Sequence, residues 1–144
     1  YSRNERNANA AVVVGINRDI YGYDFGPKVK FIGYQDNKKL PMLLANSEFF
    51  MLPSLYESFG IPALEAYSSG CQLYLSKLGA LNSIFGDRAV YFDPWDPRDI
   101  ERAFYDMNAK PINEYHSNAD DHFTKEYLWQ NSAEKLSQLI KDLV

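Results

Sequence analysis

Five short apolar segments constrain the fold of this chain more than any other feature of its sequence. None of them alternates apolar with polar residues over any length, and they are Ala11–Val14, Val29–Ile32, Phe49–Leu52, Leu73–Leu75 and Val90–Phe92. Strands that are apolar on both faces are typical of parallel sheets covered by helices. The sequence therefore predicts a parallel sheet buried between helices.

Helix signals separate the later segments. Helices are predicted at Leu40–Ala45, Pro62–Ser69 and Asn82–Phe85, and the last two run into Gly70 and Gly86. Glycine commonly follows the end of a helix because it adopts the left-handed conformation without strain. The alternation of strands and helices predicts an α/β fold, a Rossmann-like doubly wound parallel sheet.

Three further helices are predicted after the last strand. Asp96 is expected to cap the first, which starts with Pro97, and its buried stripe is predicted to comprise Ile100, Ala103, Phe104 and Met107. A second helix covers part of Ile112–Phe123. A third covers Trp129–Leu143, and its inward residues are predicted to be Ala133, Leu136, Ile140 and Leu143.

Composition excludes several classes of protein. The 144 residues fit a single domain, 1–144, and the net charge of −4 without a basic tract gives no support for nucleic-acid binding. The single cysteine, Cys71, predicts a reducing compartment, the cytoplasm, and is expected to be a core residue. The polar opening YSRNERNANA lacks an initiator methionine, which indicates a piece of a longer protein.

The stretch PSLYESFGIPALEA, residues 53–66, is the strongest candidate for a site. It leads from a strand through a loop into a helix whose start is marked by Gly60 and Pro62, and a helix start attracts anions through its free N–H groups and its dipole. Two carboxylates, Glu57 and Glu65, flank that start. Ligands of parallel α/β sheets bind at such loops. No glycine pattern of a dinucleotide-binding or P-loop protein is present.

These residues resemble a known family. LPSLYESFGIPALEAYSSGC followed by FGDRAVYFDPWDPRDIERAF is similar to the C-terminal half of the retaining GT-B glycosyltransferases, above all glycosyltransferase family 4. The family motif is a Glu, Phe-Gly, an apolar residue, Pro and a second Glu eight positions after the first, which Glu57 and Glu65 match. Gln72 replaces a proline usual in the family, and Asn82-Ser83 replaces a Pro-Glu pair, which indicates a divergent member.

The resemblance implies a donor-binding domain for a nucleotide-diphosphate sugar, and transfer of a hexose, mannose or glucose, with retention. It assigns the hexose hydroxyls to Glu57, the catalytic residue, and the ribose hydroxyls to Glu65, since a carboxylate suits a pair of hydroxyls. It assigns the remaining donor contacts to the diphosphate loop of Ser58, Phe59, Gly60 and Ile61, and the base to Gly33 and Tyr34. No metal and no cofactor is implied.

The resemblance also implies parts that this sequence does not contain. The family's acceptor-binding N-terminal domain, through which the protein could lie at a membrane surface, and an Arg/Lys pair that grips the diphosphate come before residue 1 of the pattern. The central strand of the order 3-2-1-4-5-6 also comes before residue 1, and we expect it to belong to the parent chain. The alternatives are direct pairing of Ala11–Val14 with Phe49–Leu52 and a strand inserted by a second copy or another chain. We therefore expect the isolated chain to be inactive.

Other readings of these residues remain open. A non-catalytic module that binds a nucleotide or nucleotide sugar is one alternative, and a GT-B relative such as a sugar epimerase or phosphorylase is another. The two histidines, His116 and His122, match no metal-ligand spacing and are expected to be exposed.

Overall fold

A computed structural model describes residues 11–16, 26–109 and 121–142 of the chain. It divides into two compact units, Tyr1–Leu40 and Pro41–Val144, which are described one at a time. The expectation of a single domain over residues 1–144 stays a prediction.

The first unit contains two parallel strands. Strand β1 (Ala11–Val14) pairs with β2 (Val29–Gly33), and the register shifts between Val13 and Val14. The parallel pairing agrees with the prediction, but the expected cover of both faces is wrong for β1, because Val12 and Val14 are 46% and 42% exposed. Residues 11–16 and 26–39 contribute no helix that could cover these side chains.

The second unit is built on a three-stranded parallel sheet. Its strands are β3 (Phe49–Leu52), β4 (Gln72–Ser76) and β5 (Ala89–Phe92), with β4 in the middle. Leu73 of β4 lies opposite Phe50 on one side and Ala89 on the other. Every residue of β4 is buried, as expected for a central parallel strand.

One helix precedes β3, and the others come after it. The helices are α1 (Leu40–Ala45), α2 (Ile61–Ser68), α3 (Leu81–Phe85) with a 3₁₀ turn at Gly86–Arg88, α4 (Pro97–Ala109), α5 (Asp121–Glu126) and α6 (Trp129–Asp142). Leu73 and Leu75 belong to a core cluster that includes residues of α2, α3 and α5, whereas Tyr74 belongs to a second cluster with residues of α4. Successive residues of a strand point to opposite faces, so this sheet is covered on both sides, as predicted.

Most predicted helices are confirmed, but the packing of the later ones differs from expectation. Along α4 the stripe residues Ala103 and Met107 are buried, whereas Phe104 is 47% exposed. The predicted second helix corresponds in its described part to α5, which begins at Asp121 and continues beyond Phe123. The inward stripe of α6 is wrong for the described residues, since Leu136 and Ile140 are more than half exposed and no residue of α6 is buried. Leu143 and His116 lie outside the described residues.

Hydrogen bonds join the strands into two sets, β1-β2 and β3-β4-β5. These are the groups that the strand order 3-2-1-4-5-6 leaves when its central strand is removed. The presence of that strand in a parent chain stays a prediction.

Cys71 is the core residue that the sequence predicted. Its side chain is 5% exposed, and its thiol donates to the carbonyl oxygens of Leu44, at 3.2 Å, and Ser47, at 3.4 Å. Burial raises the pKa of the Cys71 thiol to about 11 because the low dielectric disfavours the thiolate.

Among the described residues, the helices are all too short or too polar to cross a membrane.

Candidate functional site

The loop of residues 53–60 connects the carboxyl end of β3 to the start of α2. Ligand sites of parallel α/β sheets lie at this end of the strands. Helix α2 starts at Ile61, one residue before the predicted Pro62, and Gly60 occupies its N-cap position. The loop therefore presents the N-terminus of α2 at the edge where the sequence predicted a site.

Glu57 folds back onto the backbone of its own loop. Its Oε1 atom accepts hydrogen bonds from the N–H of Gly60, at 3.2 Å, and from the N–H of Phe59, at 3.5 Å. The side chain of Glu57 is half-buried. Two of the N–H groups predicted to hold a diphosphate thus already attract a negatively charged oxygen, which is the interaction that a helix N-terminus favours.

Gly60 is at a position that only glycine fits. Its φ is +85°, and a Cβ atom built there would lie 2.5 Å from Cδ2 of the fully buried Leu81. Left-handed backbone conformations strain other residues. The close contact with Leu81 fixes the N-terminus of α2 against the start of α3.

Aromatic rings hold the other side of the loop. The ring of Phe59 packs edge-on against Tyr127 at 5.2 Å between centroids, and Tyr127 packs on Phe123 of α5 at the same distance. The guanidinium of Arg88 lies 4.4 Å from the centroid of Phe123, a cation–π geometry. This connection between α5 and the loop was not predicted from the sequence, because the residues that form it are far apart in sequence. Their aromatic side chains are the only sequence signal for it.

Glu65 lies one turn into α2 and is exposed. It lines a groove of about 390 Å³ between α1, α2 and α5, with Leu44, Leu64 and Tyr127 among the apolar residues of its walls and Lys125 at its side. The groove offers a carboxylate beside an apolar surface, which suits a ligand with both hydroxyls and a flat apolar part.

The remaining predicted site residues are distributed over both units. Ser58 and Ile61 are exposed beside Glu57 in the second unit. Gly33, buried with a φ of +63°, is the last residue of strand β2 in the first unit, and Tyr34, which follows the strand, is 84% exposed. The structure brings Glu57, Phe59 and Gly60 into direct contact, and the assignment of the base to Gly33 and Tyr34 stays a prediction.

A charged network closes the neighbouring loops at the same edge of the sheet. Lys77, just after β4, forms an ion pair of 2.9 Å with Asp93, just after β5. The N–H of Asp93 donates to Oδ2 of Asp99 at 2.7 Å, and Arg102 Nε donates to Oδ1 of Asp99 at 2.7 Å. The hydrogen bond from Lys77 holds the pKa of Asp93 below its ordinary value, and the hydrogen bond from Arg102 does the same for Asp99.

The cap predicted for Asp96 is confirmed. The N–H of Trp95 donates to Oδ1 of Asp93 at 2.9 Å, and the N–H of Arg98 donates to Oδ1 of Asp96 at 3.0 Å in the first turn of α4. Asp96 is thus the expected N-cap.

His122 is exposed, as predicted. Within the described ranges, no group of three or more His, Cys, Asp or Glu residues could hold a metal ion.

Comparison with known proteins identifies the kind of chain to which this loop belongs. The profile of the family described as "Glycosyl transferases group 1" matches residues 3–122. The O-antigen chain mannosyltransferase B of Escherichia coli is 38% identical over 68 residues, which are 47% of this chain and 18% of that protein. The glycogen synthase of Mycobacterium tuberculosis is 31% identical over 114 residues, which are 76% of this chain and 28% of that protein.

Among solved structures, the sucrose-phosphate synthase of Thermosynechococcus elongatus has a similar fold. It superposes with a TM-score of 0.70 at 24% identity, over 82% of this chain and 31% of that chain. The likeness shows the α/β fold with parallel strands that the sequence predicted. This chain spans less than a third of the length of each of these three proteins.

Proposed function

The chain belongs to the group 1 glycosyltransferases, and from this premise we propose that it is the C-terminal, donor-binding domain of a retaining hexosyltransferase of family 4. The donor is a nucleotide-diphosphate sugar, and the transferred hexose is mannose or glucose. The similarity to a mannosyltransferase and to a glycogen synthase supports a hexose.

The observation that carries the proposal is the position of the Glu57 carboxylate. Its oxygen lies on the N–H groups of Gly60 and Phe59, at the N-terminus of α2. A donor diphosphate carries oxygens of the same charge and would accept from the same groups. In the proposed complex the diphosphate takes these N–H groups, and Glu57 turns to the hexose hydroxyls, where it acts in catalysis.

Glu65 completes the donor site in this proposal. Its exposed carboxylate accepts hydrogen bonds from the two ribose hydroxyls, and the apolar walls beside it, Leu64 and Tyr127, border the groove. No metal or cofactor takes part. Cationic side chains supplied by the rest of the protein offset the charge of the leaving diphosphate, and an acceptor domain on the same polypeptide brings the second substrate.

Substitution of the two glutamates tests the proposal in the full-length protein. Glu65→Ala should weaken binding of both the free nucleoside diphosphate and the nucleotide sugar, because both contain the ribose. Glu57→Ala should weaken only the nucleotide sugar, because the diphosphate keeps its N–H partners. Each loss should be about tenfold to a hundredfold, since a hydrogen bond to a charged group contributes roughly 1.5–3 kcal/mol.

The measurement is calorimetry against UDP-, GDP- and ADP-sugars and the matching free diphosphates. Glu134→Ala, which removes an exposed carboxylate of α6, is the matched control and should change neither affinity. Equal losses for diphosphate and nucleotide sugar in Glu57→Ala would overturn the assignment of the hexose to Glu57. Tight donor binding without any sugar transfer by the full-length protein would favour the non-catalytic binding module.

A further inference from the structure

The turn that follows β4 packs directly on the backbone of Glu57. Gly79 lies in this turn with a φ of +71°, and a Cβ atom built on it would lie 2.4 Å from the carbonyl oxygen of Glu57. The same Cβ would lie 3.2 Å from the backbone nitrogen of Glu57 and 3.3 Å from its carbonyl carbon. Any side chain at position 79 therefore requires either this turn or the main chain of Glu57 to move.

A hydrogen bond reinforces this contact. The N–H of Ala80 donates to the carbonyl oxygen of Glu57 at 3.1 Å. The next residue, Leu81, is fully buried and lies against Gly60 at the other end of the same loop. Three consecutive residues, 79 to 81, thus determine where the segment from Glu57 to Gly60 lies.

The supporting turn is itself held by the sheet. The N–H of Leu78 donates to Oγ of the fully buried Ser76 at 3.1 Å, and the N–H of Lys77 donates to the carbonyl oxygen of Phe92 at 2.9 Å. The ion pair between Lys77 and Asp93 joins this turn to the loop after β5. Because the turn is tied to two strands, it cannot easily give way to an added side chain, and Glu57 would have to move instead.

We propose that Gly79 is a positioning residue for the Glu57 carboxylate, a role that rests on the proposed function of Glu57 in holding the donor hexose. The absence of a side chain at position 79 lets the Glu57 peptide approach the turn and accept the hydrogen bond from Ala80. The carboxylate is thereby aimed at the hexose position. Gly79 itself contacts no substrate in this scheme and acts through Glu57.

The test compares Gly79→Ala with Gly26→Ala in the full-length protein. Gly26 has a φ of +72°, but a Cβ atom built there meets nothing within 4 Å, so the control introduces the same methyl group at the same φ without crowding. Affinities are measured by calorimetry for the UDP-, GDP- or ADP-sugar that the wild type binds most tightly and for the matching free diphosphate. Gly79→Ala should lose about tenfold or more in affinity for the nucleotide sugar and much less for the diphosphate.

The selectivity of the loss distinguishes positioning from a general structural role. Unchanged nucleotide-sugar binding in Gly79→Ala, or an equal loss for both ligands, would overturn the proposal, as would the same selective loss in Gly26→Ala. If Gly79→Ala does not fold, Ala80→Pro takes its place. Proline at position 80 removes the N–H that donates to Glu57 and places its Cδ against the same carbonyl oxygen. The φ of −83° at this residue is close to that of proline, and the same selective loss of affinity is expected.

A second readout keeps this inference separate from the proposed function. In NMR spectra, the amide signals of Phe59 and Gly60, which donate to the Glu57 carboxylate, should shift in Gly79→Ala and stay unchanged in Gly26→Ala. If the wild type binds no nucleotide sugar, the proposed function is wrong. The amide signals of Phe59 and Gly60 then remain as the test of whether Gly79 positions Glu57. Unshifted signals would then refute it.

Discussion

At the scale of single residues, a few carboxylates determine how the loops at the carboxyl edge of the sheet are closed. Glu57 binds the N–H groups of its own loop, whereas Asp93 and Asp99 bind groups that belong to other elements. Asp99 accepts from the side chain of Arg102 and from the N–H of Asp93, so it joins the start of α4 to the end of β5. The contacts of Glu57 therefore stay within one loop, whereas those of Asp93 and Asp99 join separate elements.

The pair of Asp93 and Asp99 predicts a dependence of stability on acid. Because the pKa values of Asp93 and Asp99 are lowered in the folded state, their contribution is present above the ordinary Asp pKa of about 4 and is lost as the pH falls through the lower folded values. Asp99→Asn should therefore lower the urea midpoint of unfolding at pH 7. It should also narrow the difference between the midpoint at pH 7 and the midpoint at about pH 3.

Urea unfolding at the two pH values measures this effect. Glu134→Gln, which changes an exposed carboxylate of α6, serves as the control and should leave the wild-type difference between the two midpoints intact. If Asp99→Asn retains the full wild-type difference, the Asp99 network does not contribute to the acid sensitivity of the fold.

At the scale of elements, the start of α2 depends on its contact with α3. Gly60 adopts a left-handed conformation, and Leu81 occupies the space beside it. Gly60, the N-cap residue of α2, has no side chain that could cap the helix. The position of the helix is instead set by packing and by the bond from the Gly60 N–H to Glu57.

Gly60→Ala should consequently destabilise the fold more than the same change at Gly15. Gly15 has a φ of +90° with nothing within 4 Å of a built Cβ, so Gly15→Ala introduces the backbone strain without the crowding. The additional loss in the free energy of unfolding at Gly60 should be about 1–3 kcal/mol, the usual effect of overpacking a buried core. Denaturant unfolding of both variants measures the difference, and equal losses would show that Leu81 yields to the added methyl group.

At the scale of the whole molecule, the proposed reaction needs more groups than those assigned to the donor in residues 53–60 and in α2. The chain spans less than a third of the length of each of the three relatives named above. Within residues 1–144 nothing is proposed to neutralise a departing diphosphate, whose charge must be offset in the transition state.

We therefore predict that purified residues 1–144, free of any other polypeptide, transfer no sugar. The assay follows release of nucleoside diphosphate from UDP-, GDP- and ADP-sugars in the presence and absence of sugar acceptors. The full-length protein provides the positive control. Release at an enzyme-like rate that Glu57→Ala abolishes would contradict this prediction and show that the single domain suffices for catalysis.

The class of fold and the location of the candidate loop could be predicted from the sequence. Segments that are apolar on both faces, such as Leu73–Leu75, can be stable only under cover from two sides, and β4 is fully buried. The Gly60 and Pro62 signals located the start of α2 to within a residue, and Asp96 was correctly predicted as the cap of α4. These features depend on neighbours along the chain, which a sequence displays directly.

How the loop is held and which helix stripes are buried depends on tertiary contacts that the sequence does not display. The contact of Gly79 with Glu57 and that of Phe59 with Tyr127 join residues more than twenty positions apart. The stripe of α6 has the same periodicity as that of α4, yet Leu136 is exposed and Ala103 is buried. Periodicity specifies which side chains share a face, but the burial of that face depends on which other elements the chain brings against it.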